Sequence, residues 1–149
     1  MDQSALSIPA TMSTSEITVP SKAHAGDAGF DLRATERIVL QPFERALIPT
    51  GLSIALPEGY AGFVMPRSGT ALRNGLSIVN TPGLIDSGYR GEIKVIAINL
   101  DAHTALTIEK GDRIAQLVVM GVPASQLKLV SQLPSSDRGA AGFGSTGVK

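Results

Sequence analysis

The chain is predicted to be all-β. Two observations carry this: short runs of strand-forming residues recur at the close spacing of a sandwich or barrel, separated by Gly and Pro turns, and helix-forming sequence is scarce. At 149 residues the chain amounts to one domain, long enough to bury a core of its own.

Taken in order, residues 1–14 are Ser/Thr-rich and without periodicity, which reads as a loose N-terminal extension. Ile17-Thr18-Val19-Pro20 opens the ordered domain, set at residues 15–132. Ala25-Gly26-Asp27-Ala28-Gly29-Phe30-Asp31-Leu32 is a Gly-punctuated turn running into a strand. Further strands are expected at 37–40, 46–48, 52–56 and 61–65. Leu52, Ile54 and Leu56 alternate with Ser53 and Ala55, the pattern of a half-buried strand. Gln41-Pro42-Phe43 and Pro57-Glu58-Gly59 punctuate these strands. Residues 68–73 form the one plausible helix, stopped by Asn74-Gly75. Residues 76–79 and 93–98 read as the arms of a hairpin, and 106–108 with 113–120 as a second hairpin around Glu109-Lys110-Gly111-Asp112. Residues 126–132 read as the last strand. From Leu133 on, Gly, Ser and other small residues dominate, and residues 133–149 are expected to be a flexible arm.

Composition removes several function classes. Thirteen basic residues balance thirteen acidic ones, so there is no electrostatic case for nucleic acid or a membrane surface. Charged residues are only 17%, a weak hint that other copies cover part of the surface. The absence of Cys excludes a disulfide framework and a thiolate metal site. Two His, His24 and His103, are too few for a His-based zinc site. No apolar run reaches membrane-spanning length, and the start lacks the basic region of a signal peptide. A cytoplasmic protein is the expectation.

The chain is organised around Asn80-Thr-Pro-Gly-Leu-Ile-Asp-Ser-Gly-Tyr-Arg-Gly-Glu92. Pro82-Gly83 is a turn signal, and Gly88 and Gly91 break any regular pattern. Between them the loop offers a carboxylate, Asp86, and a ring, Tyr89, in a chain with 4% aromatics. Such a loop can bracket a flat, sugar-bearing ligand; its residues alone leave open an ordinary hairpin with a solvated Asp. Pro66-Arg67-Ser68-Gly69 follows a strand and opens the helix, so its amides, an Arg and a hydroxyl make an anion site. Simple capping by Ser68 is the alternative. In the tail, Gly142-Phe143-Gly144-Ser145-Thr146-Gly147 fits G-x-G-x-x-G, but no strand precedes it and no helix can follow. A P-loop fails as well, because Ser145 stands where that motif needs Lys. What survives is a set of phosphate donors, Arg138, Ser145 and Thr146, with Phe143 as an aromatic cover, or else a plain linker.

In this order, five stretches make the chain resemble the trimeric deoxyuridine triphosphatase (dUTPase) family from about Ile17 to the end. They are 27–32, 66–69, the central loop with Gly83, Asp86, Tyr89, Arg90 and Gly91, then Gly111-Asp112-Arg113-Ile114-Ala115-Gln116, and 138–147. Thr70 stands where the family often has Leu, and Ala141 replaces a frequent Gly. The resemblance implies a jelly-roll-like β-barrel, assembled as a homotrimer with active sites at subunit interfaces. It implies hydrolysis of dUTP to dUMP and pyrophosphate with Mg²⁺, keeping uracil out of DNA and supplying dUMP for thymidylate synthesis.

By that resemblance Asp86 is the general base and Tyr89 packs under the deoxyribose. Asn80 and the backbone at Gly83, Leu84 and Ile85 read the uracil edge, with Lys94 at the far side. Arg67, Ser68, Gly69 and Gln116 hold phosphates, and Asp31 reaches Mg²⁺ through water. Arg138, Phe143, Gly144, Ser145 and Thr146 close over the nucleotide. A dCTP deaminase of the same fold and a non-catalytic β-sandwich assembly module are the rivals.

Overall fold

The computed structural model describes residues 6–140. Eleven strands and one helix follow in order: β1 (Ala10–Met12), β2 (Gly29–Arg33), β3 (Ile38–Leu40), β4 (Arg45–Pro49), β5 (Leu52–Ile54), β6 (Tyr60–Met65), α1 (Ser68–Asn74), β7 (Leu76–Ile78), β8 (Gly83–Ile85), β9 (Lys94–Asn99), β10 (Leu106–Ile108) and β11 (Arg113–Gly121). The all-β reading holds. Every strand pairing is antiparallel. The described strands form four sheets and do not close into one hydrogen-bonded barrel: β2-β11-β6-β8, β4-β9-β7, β1-β5 and β3-β10.

Period-two alternation builds the core. Along β9, Val95, Ala97 and Asn99 are buried while Lys94 is exposed, and Leu52 and Ile54 of β5 do the same around Ser53. Val95, Ala97, Leu52 and Ile54 meet Leu32, Leu40, Ile48, Ile93, Ile114 and Leu117 in a single cluster. Asn99 is fully buried yet satisfied: its amide donates to the carbonyls of Leu40 and Thr104, and its oxygen accepts from the Asp101 N–H.

The helix contributes nothing to this core, having no buried residue. It ends where Gly75 takes the left-handed conformation at φ 65°, its N–H bonding back to Ala71 and Thr70 carbonyls. A Cβ at Gly75 would lie 2.7 Å from the Asp101 nitrogen, so two constraints demand glycine there.

Three expectations are corrected. Residues 10–12, placed in a loose extension, form β1 and pair with β5. Ile8 and Met12 pack on the core, a short alternation with Pro9 and Thr11 that the Ser/Thr-rich surroundings obscured. Residues 106–108 and 113–120 do not form a hairpin. The turn between them exists, but Gly111 N–H bonds Ala34, Ala34 N–H bonds Asp112 and the Arg33 guanidinium donates to the Gly111 carbonyl. Both edges of β11 are taken by β2 and β6, so β10 pairs with β3 instead.

Residues 126–132 are not a strand. Leu127 and Leu129 alternate with Gln126 and Lys128 as in a strand, but they are fully exposed and no described edge pairs with them. The predicted hairpin of 76–79 with 93–98 does form, as β7 with β9. Its loop also carries β8, which pairs with β6 and so fixes half of the loop to the larger sheet. Among the described residues, no helix is long and apolar enough to cross a membrane.

Candidate active site

Two cavities divide the candidate residues between them. The first, of about 590 Å³, lies along the β7–β9 hairpin and is lined by Asn80, Gly83, Leu84, Ile85, Asp86, Tyr89, Glu92 and Lys94, with Leu47, Val64, Ile78 and Ile96 among its apolar walls. The second, of about 380 Å³, is lined by Asp27, Gly29, Asp31, Arg67, Ser68, Gly69, Arg73, Arg113 and Gln116. No residue lines both. Every residue expected at the base and sugar thus falls in the first cavity, and every one expected at the phosphates or metal in the second, Arg138 and the arm apart.

In the first cavity, pairing of β8 with β6 sets Gly83, Leu84 and Ile85 opposite Val64, Phe63 and Gly62. The chain then turns so that the Tyr89 N–H bonds the Asp86 carbonyl. The turn lifts the Asp86 carboxylate into the open, where no described residue donates a hydrogen bond to it or pairs with it. The Tyr89 ring folds back over Gly91: a Cβ there would lie 2.5 Å from the Tyr89 hydroxyl. That hydroxyl donates to the Glu92 carbonyl at 2.9 Å. Lys94 pairs with Glu92 at 3.6 Å.

The second cavity is framed by strand register. Gln116 of β11 sits opposite Asp31 of β2 on one side and Met65 of β6 on the other. Its side-chain amide donates to the Pro66 carbonyl at 2.8 Å, holding the segment that enters α1. A Cβ on Gly29 would come within 2.8 Å of the Gln116 Oε1, which explains the glycine. Asp31 bridges two guanidiniums, Arg67 Nε at 2.9 Å and Arg113 Nη1 at 3.2 Å.

Arg73, four residues after Gly69, lays its guanidinium 3.0 Å from where a Gly69 Cβ would stand. Three guanidiniums (Arg67, Arg73, Arg113) therefore face two carboxylates (Asp27, Asp31), leaving a positive excess suited to a polyphosphate. Sequence reasoning did not assign Arg73, Arg113 or Glu92 to the site. The i, i+4 spacing of Gly69 and Arg73 was the available signal for the first.

Ser68 does not cap the helix. The cap position is Arg67 and carries no side-chain cap bond. Thr70 instead donates its hydroxyl to the Arg67 carbonyl at 3.0 Å, and Ser68 faces the second cavity. Arg138 is exposed and lines neither cavity. Phe143, Gly144, Ser145 and Thr146 lie outside the described residues.

Among the described residues, no group of three or more His, Cys, Asp or Glu could hold a metal ion directly. Asp27 and Asp31 beside three guanidiniums suit instead a hard cation that keeps most of its water and takes phosphate oxygens.

A family model described as dUTPase matches residues 15–147. The deoxyuridine 5'-triphosphate nucleotidohydrolase of Streptomyces avermitilis is 56% identical over 132 residues, covering 89% of this chain and 75% of that protein. The enzyme of the same name from Leifsonia xyli is 57% identical over 129 residues, 87% of this chain and 85% of its own length. Among solved structures, a mutant dUTPase of Staphylococcus bacteriophage 80alpha with dUpNHpp superposes with a TM-score of 0.90 at 31% identity, covering 97% of this chain and 100% of that one. A mutant dUTPase from phage phi11 of S. aureus, described as coordinating a structural Mg(II) ion, gives 0.78 at 28% identity over 85% of this chain and 98% of that one.

Proposed function

Because this chain belongs to the dUTPase family, we propose that it hydrolyses dUTP to dUMP and pyrophosphate. One observation supports this beyond kinship: a cavity built for a base and sugar and a cavity built for polyphosphate, on one chain, with no lining residue in common. A deoxynucleoside triphosphate needs both. In the homotrimer expected of this family the substrate would lie between copies, the first cavity coming from one chain and the second from another.

In this reaction a water oxygen forms a bond to the α-phosphorus while the bond to the bridging oxygen breaks, releasing pyrophosphate. Asp86 accepts the water's proton; its carboxylate is open to water and free of a competing partner within the described chain. Tyr89 stacks under the deoxyribose and leaves no space for a 2′-hydroxyl. Asn80 and the backbone at Gly83, Leu84 and Ile85 read the uracil edge, with Lys94 at the far wall. Once a nucleotide covers them, a wrong base would leave those groups unpaired, which favours strict selection. Arg67, Ser68, Gly69 and Gln116 hold the phosphates.

Asp31 is the residue that would orient Mg²⁺ through its water shell, and the ion, when bound, neutralises phosphate charge. Its present hold on Arg67 and Arg113 keeps both guanidiniums beside the cavity until phosphate competes for them. The catalytic domain runs to residue 132 and takes in β1 and Ile8 ahead of residue 15, and 133–149 form an arm. In it, Arg138, Phe143, Gly144, Ser145 and Thr146 close over the nucleotide and exclude water.

The test is pyrophosphate release from dUTP beside dCTP, dTTP and UTP, with ammonia measured in parallel. Pyrophosphate from dUTP alone is the expected result. Ammonia from dCTP would instead mark a deaminase, and failure to bind any deoxynucleotide would mark an assembly module.

A further inference from the structure

The first cavity is buttressed from a distant part of the chain. The turn between β4 and β5, with the first residue of β5, makes three hydrogen bonds to Glu92 and Ile93. The Gly51 N–H donates to the Glu92 Oε1 at 2.7 Å, the Thr50 hydroxyl to the Ile93 carbonyl at 2.5 Å, and the Ile93 N–H to the Leu52 carbonyl at 2.7 Å. Thr50 and Gly51 are buried, and Gly51 holds φ 73° with Ser13 and Thr35 atoms 3.1 Å from its absent Cβ, so this turn has little freedom to move. The other carboxylate oxygen of Glu92 pairs with Lys94, and its backbone carbonyl accepts the Tyr89 hydroxyl.

We infer that Glu92 is a positioning residue for sugar selection: its carboxylate, held by the Gly51 amide, fixes the carbonyl that sets the angle of the Tyr89 ring. This rests on the dUTP reading above. Tyr89 is 44% exposed, so apart from its contact with Gly91 much of the ring faces open space. Among the described residues its hydroxyl bonds the Glu92 carbonyl, and that bond sets its orientation. Gly91 beneath it offers no Cβ to do so. Loss of the Glu92 carboxylate orphans a buried backbone N–H and frees the segment that carries the carbonyl. A ring that can tilt admits a 2′-hydroxyl.

The experiment compares Glu92→Ala, Glu92→Gln, Tyr89→Phe and the Glu92→Ala/Tyr89→Phe double variant of the full chain, each checked for wild-type assembly. The ratio of kcat/KM for dUTP to that for UTP is read by pyrophosphate release. Glu92→Ala and Tyr89→Phe should each lower the ratio by about tenfold, the weight of one lost hydrogen bond, and the double variant no further. Glu92→Gln keeps an acceptor for the Gly51 N–H and should retain the wild-type ratio.

A second readout does not depend on the substrate. The chain has two tyrosines, so labelling with fluorotyrosine gives two resonances. That of Tyr89, assigned by its loss in Tyr89→Phe, should move in Glu92→Ala and stay in Glu92→Gln. An unchanged ratio in Glu92→Ala or in Tyr89→Phe, or an unmoved resonance, overturns the inference. If the wild-type protein does not hydrolyse dUTP, the functional reading fails on its own, and the resonance still decides whether Glu92 sets the ring.

Discussion

Gly26, in the loop before β2, and Gly29, the first residue of β2, stand three residues apart, and the structure predicts opposite consequences for giving each a methyl group. At Gly26 a Cβ meets nothing within 4 Å, and the backbone lies outside the left-handed region. Gly26→Ala should therefore be neutral, or stabilising by about 0.4–1 kcal/mol through a less flexible unfolded chain. At Gly29 the methyl would stand 2.8 Å from Gln116 Oε1 and 3.2 Å from Gln116 Cβ. The amide end can swing away, but the Cβ belongs to β11, which is paired on both sides. Forced overpacking of this kind costs about 1–3 kcal/mol. Displacing the amide also removes its bond to the Pro66 carbonyl, net about 1 kcal/mol. A combined loss of about 2–4 kcal/mol corresponds to about 4–16 °C in melting temperature for a chain of this size. Because Pro66 leads directly into Arg67 and Ser68, dUTP affinity should fall with it while dUMP affinity changes little. Thermal melts and isothermal titration of both nucleotides on the two variants read this out. Equal melting temperatures and equal dUTP affinity would refute the packing account of that glycine.

Four further outcomes follow from the same geometry. Asp86→Asn should lower turnover by about 10²–10⁴ with nucleotide affinity nearly unchanged, since the amide keeps the shape but cannot take the proton; near-normal rates would remove Asp86 as the base. Arg73→Gln should weaken dUTP binding by about tenfold or more and leave dUMP binding intact, as expected for a charge-assisted phosphate contact; titration with both ligands checks it. The N–H groups of His103 and Thr104 hold the Asp101 carboxyl below its ordinary value of 3.8. The stability this contributes is present above the unfolded value and is lost as pH falls through the folded one, so the difference between wild type and Asp101→Ala in urea melts should shrink below pH 3.8. Inactive Asp86→Asn and a chain ended at Leu133 should regain activity when mixed and refolded, because some mixed sites carry neither lesion; no recovery despite proven subunit exchange would argue against shared sites.

Much of the architecture was legible because alternation is a local signal. Leu52-Ser53-Ile54 and Lys94 to Asn99 declare their buried face within one strand, and Asn74-Gly75 declares the end of α1. Strand partners were not legible. Nothing in Leu106-Thr107-Ile108 reveals that its neighbour in sequence, β11, has both edges occupied, a fact that depends on Gly29–Arg33 and Tyr60–Met65. Leu127 and Leu129 carry a strand's pattern, but pattern alone does not provide an edge to pair with. The site divided in the same way. Asp86, Tyr89 and Arg67 stand beside glycines in short runs whose chemistry can be read directly. Glu92 acquires its part only through Gly51, forty-one residues earlier, and that contact exists only once the two turns have met.

The position of Gln116 between Asp31 and Met65 makes the phosphate cavity a stepped object, not a continuously adjustable one. Sliding β11 by one residue moves it about 3.3 Å and turns every side chain to the opposite face, so Gln116 would leave the cavity altogether. A two-residue slide restores the face but carries the carboxamide about 7 Å away, well beyond the 2.8 Å bond to Pro66. No intermediate setting exists along the strand. Changes in the fit of phosphate must therefore come from side chains at fixed backbone positions, such as Arg73 or Ser68. A residue added or removed in a turn outside β2, β6 and β11, such as Asp101–Thr104, would leave that register untouched.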